Sequence, residues 1–332
     1  MKYRAFLSIA CWLCLCGLSA AQDVKERARA LLLHAQQLSD IRSPNAAAFR
    51  LKATFSFKGE DLETVQGTYT ETWLSDSQWR RETVINDLRR TEVAGPAKSW
   101  LLSPDAFPER ANQLPGLMEF LPQASSLPDF ATITETPADD LVAECVFSRP
   151  VGQNQKISLC FDKKSGVLLE KASPEQRPKN VVNFSCEYGK FQKFNQYWFP
   201  REIVCFEDRH KTISANVVEL SAEPSPDPTL FTPSPEAIEL GRCSGKTVPP
   251  RYYDGGFIFP GGIDIEHAAW IHVWFVVDTK GKAQNIRVTR SGENSSHENV
   301  LKALRTWRFL PGKCDGKAMP MQLTLQLPST LR

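Results

Sequence analysis

Two pairs of cysteines stand at mirror positions about turn-like segments, and nothing else in the chain constrains its fold as tightly. Cys145 and Cys160 are centred on Gly152-Gln153 within SRPVGQNQKIS. Cys186 and Cys205 are centred on Asn195-Gln196 within KFQKFNQYWF. Positions equidistant from a hairpin turn lie opposite each other, at a Cα spacing that suits a disulfide. The spacing therefore predicts two antiparallel hairpins of fixed register, closed by Cys145–Cys160 and Cys186–Cys205. The chain has nine cysteines, and Cys11, Cys14 and Cys16 fall in an N-terminal apolar run. Of the six others, the hairpins leave Cys243 to pair with Cys314. Among these six there is no C-x-x-C and no close Cys/His cluster, so they read as disulfides and not as metal ligands.

That reading needs an oxidising compartment, and the N-terminus points to one. Lys2 and Arg4 precede an apolar run from Ala5 to Leu18, and Ser19-Ala20-Ala21 offers small residues for a signal peptidase. Residues 1–21 read as a signal peptide cleaved after Ala21, which places the chain in the periplasm. An uncleaved membrane anchor is the alternative. Counted on to Ala21 the run is roughly 17 residues long, and hydrocarbon needs about 20.

The 332 residues suit two domains, and a net charge of +2 with no basic stripe points to no nucleic-acid partner. Val24, Ala28, Leu31, Leu32 and Ala35 recur at helical spacing. FRLKATFSFKG then alternates, with Phe49, Leu51, Ala53, Phe55 and Phe57 on one side, as in a strand with one covered face. GTYTETWL, QWRRETVIND and KSWLLSP continue as strands, and LPGLMEFLP as a short helix between prolines. Further strands follow at LVAECVFSR, KISLCFDKKSGVLLEKAS, VVNFSCEYGKFQ, QYWFPREIVCFED and TISANVVELS. Residues 22–233 thus read as about ten strands in meander order with two helices, an antiparallel sheet curled round helices. Its aromatics are either core or the lining of a cavity for an acyl chain, with Phe55, Phe57, Trp73 and Trp79 the candidates. Residues 234–250 are proline-rich and read as a linker.

Residues 251–332 read as strand, strand, helix, strand: WIHVWFVVD, a turn at Gly281, QNIRVTRSG, a helix, and MQLTLQL. Ser295 and Glu298 match a capping box, and Val300, Leu301, Leu304 and Trp307 share one helix face. The last strand sets Met319, Met321, Leu323, Leu325 and Leu327 against Pro320, Gln322, Thr324 and Gln326. One helix on a small sheet leaves the other face and an edge open, and Cys243–Cys314 would brace so thin a core.

The ordered set of Asp278 with Gly281, Ser291-Gly292, Trp307-x-Phe309-x-Pro311 and Asp315-Gly316-Lys317 resembles the C-terminal domain of TonB-type energy transducers. That family usually has a Leu-Asp pair where this chain has Ser295-Ser296-His297. Residues 22–233 resemble the LolA-like lipoprotein-carrier fold, an incomplete barrel around helices. The residues that carry it are Trp79-Arg80-Arg81, Tyr188 with Phe191, Trp198-Phe199-Pro200 and Asp227 to Phe231. The cysteines are a departure, since that fold does not need them. The expected class is therefore α+β: a LolA-like half-barrel, then a ββαβ TonB-like domain.

No G-x-S-x-G, H-E-x-x-H, phosphate loop or dinucleotide fingerprint occurs. His267 and His272 share neither a helix face nor a strand face. The sequence predicts no catalytic residues, no metal and no cofactor. The TonB resemblance implies binding of an outer-membrane transporter or another envelope protein, by pairing of a partner segment with the terminal strand at Gln322, Thr324 and Gln326. Full energy transduction fits less well, because the 233–250 linker spans on the order of 50 Å at about 3.1 Å per residue. A carrier of a lipid or lipoprotein acyl chain is the alternative, and a structural envelope protein a third reading.

Overall fold

The structure, a computed structural model, describes residues 24–59, 63–96, 98–103, 107–122, 132–138, 141–148, 157–176, 181–243, 245–253, 270–291 and 298–328. The signal segment, the Gly152-Gln153 turn, His267 and Ser295 to His297 lie outside these residues. Among the described residues, no helix is long and apolar enough to cross a membrane.

The chain is mostly strand. Helix α1 (24–39) is followed by β1 (Phe49–Lys58), β2 (Thr64–Ser75), β3 (Gln78–Ile85), β4 (Leu88–Ala94) and β5 (Lys98–Leu102), then by the short helix α2 (Leu114–Met118). Next come β6 (Thr132–Ala138), β7 (Leu141–Ser148), β8 (Ile157–Asp162), β9 (Leu168–Gln176) and β10 (Val181–Gly189). They are followed by β11 (Gln192–Phe194), β12 (Tyr197–Phe199), β13 (Glu202–Glu207) and β14 (His210–Ala222). The expectation of about ten strands is too low. The long runs at KISLCFDKKSGVLLEKAS and QYWFPREIVCFED each break at a turn into two strands.

Two compact units emerge. The first holds residues 1–46, 53–65 and 116–218. Its strands β14-β13-β10-β9-β8-β7-β6 are an antiparallel series in which β14 pairs on its other side with β1, and β6 does not pair back to β14, so the run does not close into a barrel. The two hairpin disulfides fix its register. Cys145 faces Cys160 across β7 and β8, and Cys186 faces Cys205 across β10 and β13, with Cα atoms 4.0 Å apart in each pair. The β11–β12 ladder continues the β10–β13 register to a turn where Asn195 takes a positive φ, 52°. Directly opposed residues share a sheet face, so the registers put the bridges on opposite faces. Cys186 shares its face with Lys171, Leu159 and Val146, and Cys145 with Cys160 and Glu170. Helix α1 buries Ala28, Leu32 and Ala35 at helical spacing, and its Arg27 reaches the buried Glu144 of β7 at 2.6 Å. Phe120 packs on Tyr188 and Phe199, and burial pushes the Tyr188 phenol far above its usual range.

The second unit holds residues 47–52, 66–115 and 219–332. It contains the antiparallel series β2-β3-β4-β5 and β15 (Ile238–Gly241), which pairs with β5. Between β2 and β3, buried Glu71 accepts from Tyr69 at 3.0 Å and from Arg81 at 3.2 Å. The same unit carries β16 (Thr247–Val248), β17 (Arg251–Tyr252), β18 (Trp270–Val277), β19 (Ala283–Ser291), α3 (Glu298–Thr306), β20 (Phe309–Leu310), β21 (Lys313–Cys314), β22 (Lys317–Ala318) and β23 (Met321–Pro328). The stretch 234–250 is therefore not an unpaired linker. Ile238 and Leu240 alternate with Glu239 and form a strand despite the surrounding prolines. Cys243 joins Cys314 with Cα atoms 5.5 Å apart.

Candidate functional site

The C-terminal sheet has the order β19-β18-β23. One face is packed: Val273, Phe275, Val300, Leu304, Phe309 and Leu327 are buried together, and Leu301, Trp307, Leu323 and Leu325 pack on them. The amphipathic pattern of α3 and the alternation of β23 account for this core directly. Trp307 lies just past the helix end and packs against Tyr252 with ring centroids 5.1 Å apart. The opposite face is more covered than expected. Val276 is 3% exposed there, and Arg287 donates to the Ser103 carbonyl of the segment after β5.

The β18–β19 turn explains two sequence signals. Gly281 has φ +75° and its N–H reaches Asp278 O at 3.0 Å, while its own carbonyl accepts from Phe309 N at 2.9 Å. A Cβ at Gly281 would fall 2.0 Å from Phe309 O, so only glycine fits. Asp278 accepts from the N–H groups of Lys280 and Lys282 at 2.8 and 2.9 Å. Partial burial alone would raise its pKa. The bonds from Lys282, Gln284 and Lys280 outweigh that and hold the carboxyl below its usual value.

The three predicted partner-binding residues lie on β23. Its pairing with β18 is unbroken over eight positions, with Gln322 opposite Val276, Thr324 opposite Trp274 and Gln326 opposite His272. Gln322 and Thr324 have exposed side chains, and Gln322 Oε1 accepts from Trp274 Nε1 at 3.2 Å. Which way their backbones point follows from two hydrogen bonds. In a strand, one residue's N–H and C=O point to one side and the next residue's to the other. Asp278 N–H bonds Lys282 O on the β19 side, so Val276, Trp274 and His272 also turn their backbone groups toward β19. Their partners Gln322, Thr324 and Gln326 then form the pairs without mutual backbone bonds, and their N–H and C=O groups face away from β18. Pro320 agrees with this parity, since its carbonyl accepts from Gly241 N at 2.8 Å on that outer side. The edge is thus capped at Pro320 by the end of β15. Among the described residues, no further strand pairs with it from Gln322 onward.

The four residues expected to line a ligand cavity are all buried. In the first unit, Phe55 and Phe57 stack with centroids 6.1 Å apart and each is 4% exposed. In the second, Trp73 stacks with Phe49 at 5.5 Å, and Trp79 lies under the Arg81 guanidinium at 4.1 Å. Each ring is held by neighbours of its own unit.

Sequence reasoning missed a cleft of about 280 Å³ beside the start of β23, lined among others by Trp100, Leu101, Leu240, Met321 and Gln322. The one available signal was the short alternation Ile238-Glu239-Leu240 inside the proline-rich stretch, which makes β15 and brings Leu240 to β5.

No family model matches the chain, and no curated protein matches it. Solved structures do. A domain named for outer membrane lipoprotein sorting, from Vibrio parahaemolyticus, is 12% identical over 60% of this chain and 95% of its own, with TM-score 0.39. A LolA superfamily protein from Nitrosomonas europaea is 11% identical over 62% and 97%, with TM-score 0.41. A DUF1329 family protein from Desulfovibrio piger is 10% identical over 63% and 97%, with TM-score 0.41. None of the three is named for a TonB-type domain.

Proposed function

We propose that this is an exported binding protein, not an enzyme, and that it takes an extended segment of a partner as an added strand along β23. One observation carries the reading. Gln322, Thr324 and Gln326 direct backbone groups outward, where no strand among the described residues pairs with them, from an edge that has no charged residue and no bulge. Main-chain bonds along such an edge give affinity, and neighbouring side chains give selectivity. The partner class implied by the TonB resemblance is an outer-membrane transporter or another envelope protein, and the three disulfides agree with an oxidising compartment. The test uses the full chain, isotope-labelled, titrated with an octapeptide of alternating valine and threonine. Shifts concentrated at the amides of Gln322, Thr324 and Gln326 are expected. Shifts confined to other strands, or none at all, overturn the reading.

A carrier of a lipid or lipoprotein acyl chain is the second reading. It is favoured by the unbroken apolar side of β1, where Phe49, Leu51, Ala53, Phe55 and Phe57 are all buried. Lipoprotein sorting is also what the Vibrio structure is named for. Solvent extraction and mass spectrometry of the purified protein decide it. Stoichiometric lipid supports the carrier, and its absence after purification without detergent removes it.

A further inference from the structure

The cleft beside β23 meets this edge at one residue, Gln322, which lines the cleft and is also the first position within β23 whose backbone faces outward. We propose that the cleft is a side-chain pocket for an added strand and selects a large apolar residue at the position that pairs with Gln322. The proposal rests on the strand-addition reading of β23.

Three observations define the occupant. Residues directly opposite each other in a ladder share a face, so the partner residue across from Gln322 projects its side chain on the face where Gln322 meets the cleft. The larger share of the lining is apolar, with Trp100, Leu101, Leu240 and Met321 beside the polar Ser99 and Gln322. Its one carboxylate, Glu92, is already paired with Arg90, so the pocket calls for no cation. The volume of about 280 Å³ falls just under the range of pockets that hold whole small ligands, and suits one bulky side chain.

Gly241 sets the register. Its N–H occupies the Pro320 carbonyl, so an added strand cannot pair beyond Gln322 toward the start of β23. The bound segment ends or turns there, and its anchor residue is therefore the terminal one of the paired stretch. A Cβ at Gly241 would come within 2.8 Å of the Pro320 carbonyl, so the approach that forms this stop needs glycine.

The experiment uses calorimetry on the full chain with octapeptides of alternating valine and threonine whose terminal residue is tryptophan, leucine, serine or arginine. The tryptophan and leucine peptides are expected to bind roughly tenfold or more tightly than the serine peptide, with arginine close to serine. Trp100→Ala should erase that difference while leaving the affinity of the serine peptide in place. Equal binding of all four peptides to the wild-type chain overturns the pocket but leaves strand addition standing. Tightest binding by arginine overturns the apolar assignment. Binding of none overturns strand addition and the pocket with it. The peptide series is read on unaltered protein, so it holds even where Trp100→Ala fails to fold.

Discussion

β19 and β23 are the two outer strands of one three-stranded sheet, and they are finished in opposite ways. The β18–β19 register shifts twice, Asn285 takes φ +53°, and the strand carries Arg287 and Arg290. Bulges and charges of this kind are what proteins use to keep an edge from pairing. β23 has eight pairs in unbroken register and no charged side chain. An edge with neither device is a hazard unless it has a use. The contrast teaches that, among the described residues, the sheet is blocked on one side and left without a neighbouring strand on the other, and it supports the proposal of strand addition at β23.

The comparison depends on the sheet staying folded with one edge unsatisfied, so the first break is aimed at its brace. Cys243→Ser with Cys314→Ser opens a loop of sequence separation 71, which corresponds to a loss of about 4 kcal/mol. Denaturant unfolding should show it, and the amides of β18 and β23 should lose protection first. The bulged side comes next. Gly281→Ala meets left-handed strain of about 1–2 kcal/mol, and the contact with the Phe309 carbonyl adds to it. A fall in melting temperature of several degrees, with β19 signals most affected, is expected.

The third change gives β23 the defence that β19 already has. Thr324→Lys should leave stability within about 0.5 kcal/mol, because the side chain is exposed. It should weaken binding of the Val/Thr octapeptide roughly tenfold, measured by calorimetry. The smallest effect concerns Asp278 at the β18–β19 turn. Its folded pKa is depressed, so its stabilisation is complete above the unfolded value, near 3.9, and is lost as pH falls through the folded value. Asp278→Asn should thus be less stable than wild type at pH 6, and the gap should close as the pH falls below about 4. Urea unfolding across that range checks the sign.

Much of this was legible from residue order alone. The mirror-placed cysteines carried the hairpin registers because a disulfide across strands admits only one pairing. The alternation in β23 and the helical spacing in α3 named the packed face of the C-terminal sheet. The hidden parts depend on contacts distant in sequence. β15 lies among prolines and becomes a strand only because β5 offers a ladder. The cleft joins Trp100 to Met321, more than two hundred positions apart, and no local pattern carries such a juxtaposition. Phe55, Phe57, Trp73 and Trp79 show the converse limit: sequence gives their character, but core packing and cavity lining require the same residue types.

Amide exchange along β23 tests the central claim most directly. In the free protein, Gln322, Thr324 and Gln326 should exchange fast while Leu323, Leu325 and Leu327 are protected by β18, and the octapeptide should slow the first three selectively. Uniform slow exchange across all six, or fast exchange at the even positions that the bound peptide leaves unchanged, would contradict an open edge that receives a partner strand.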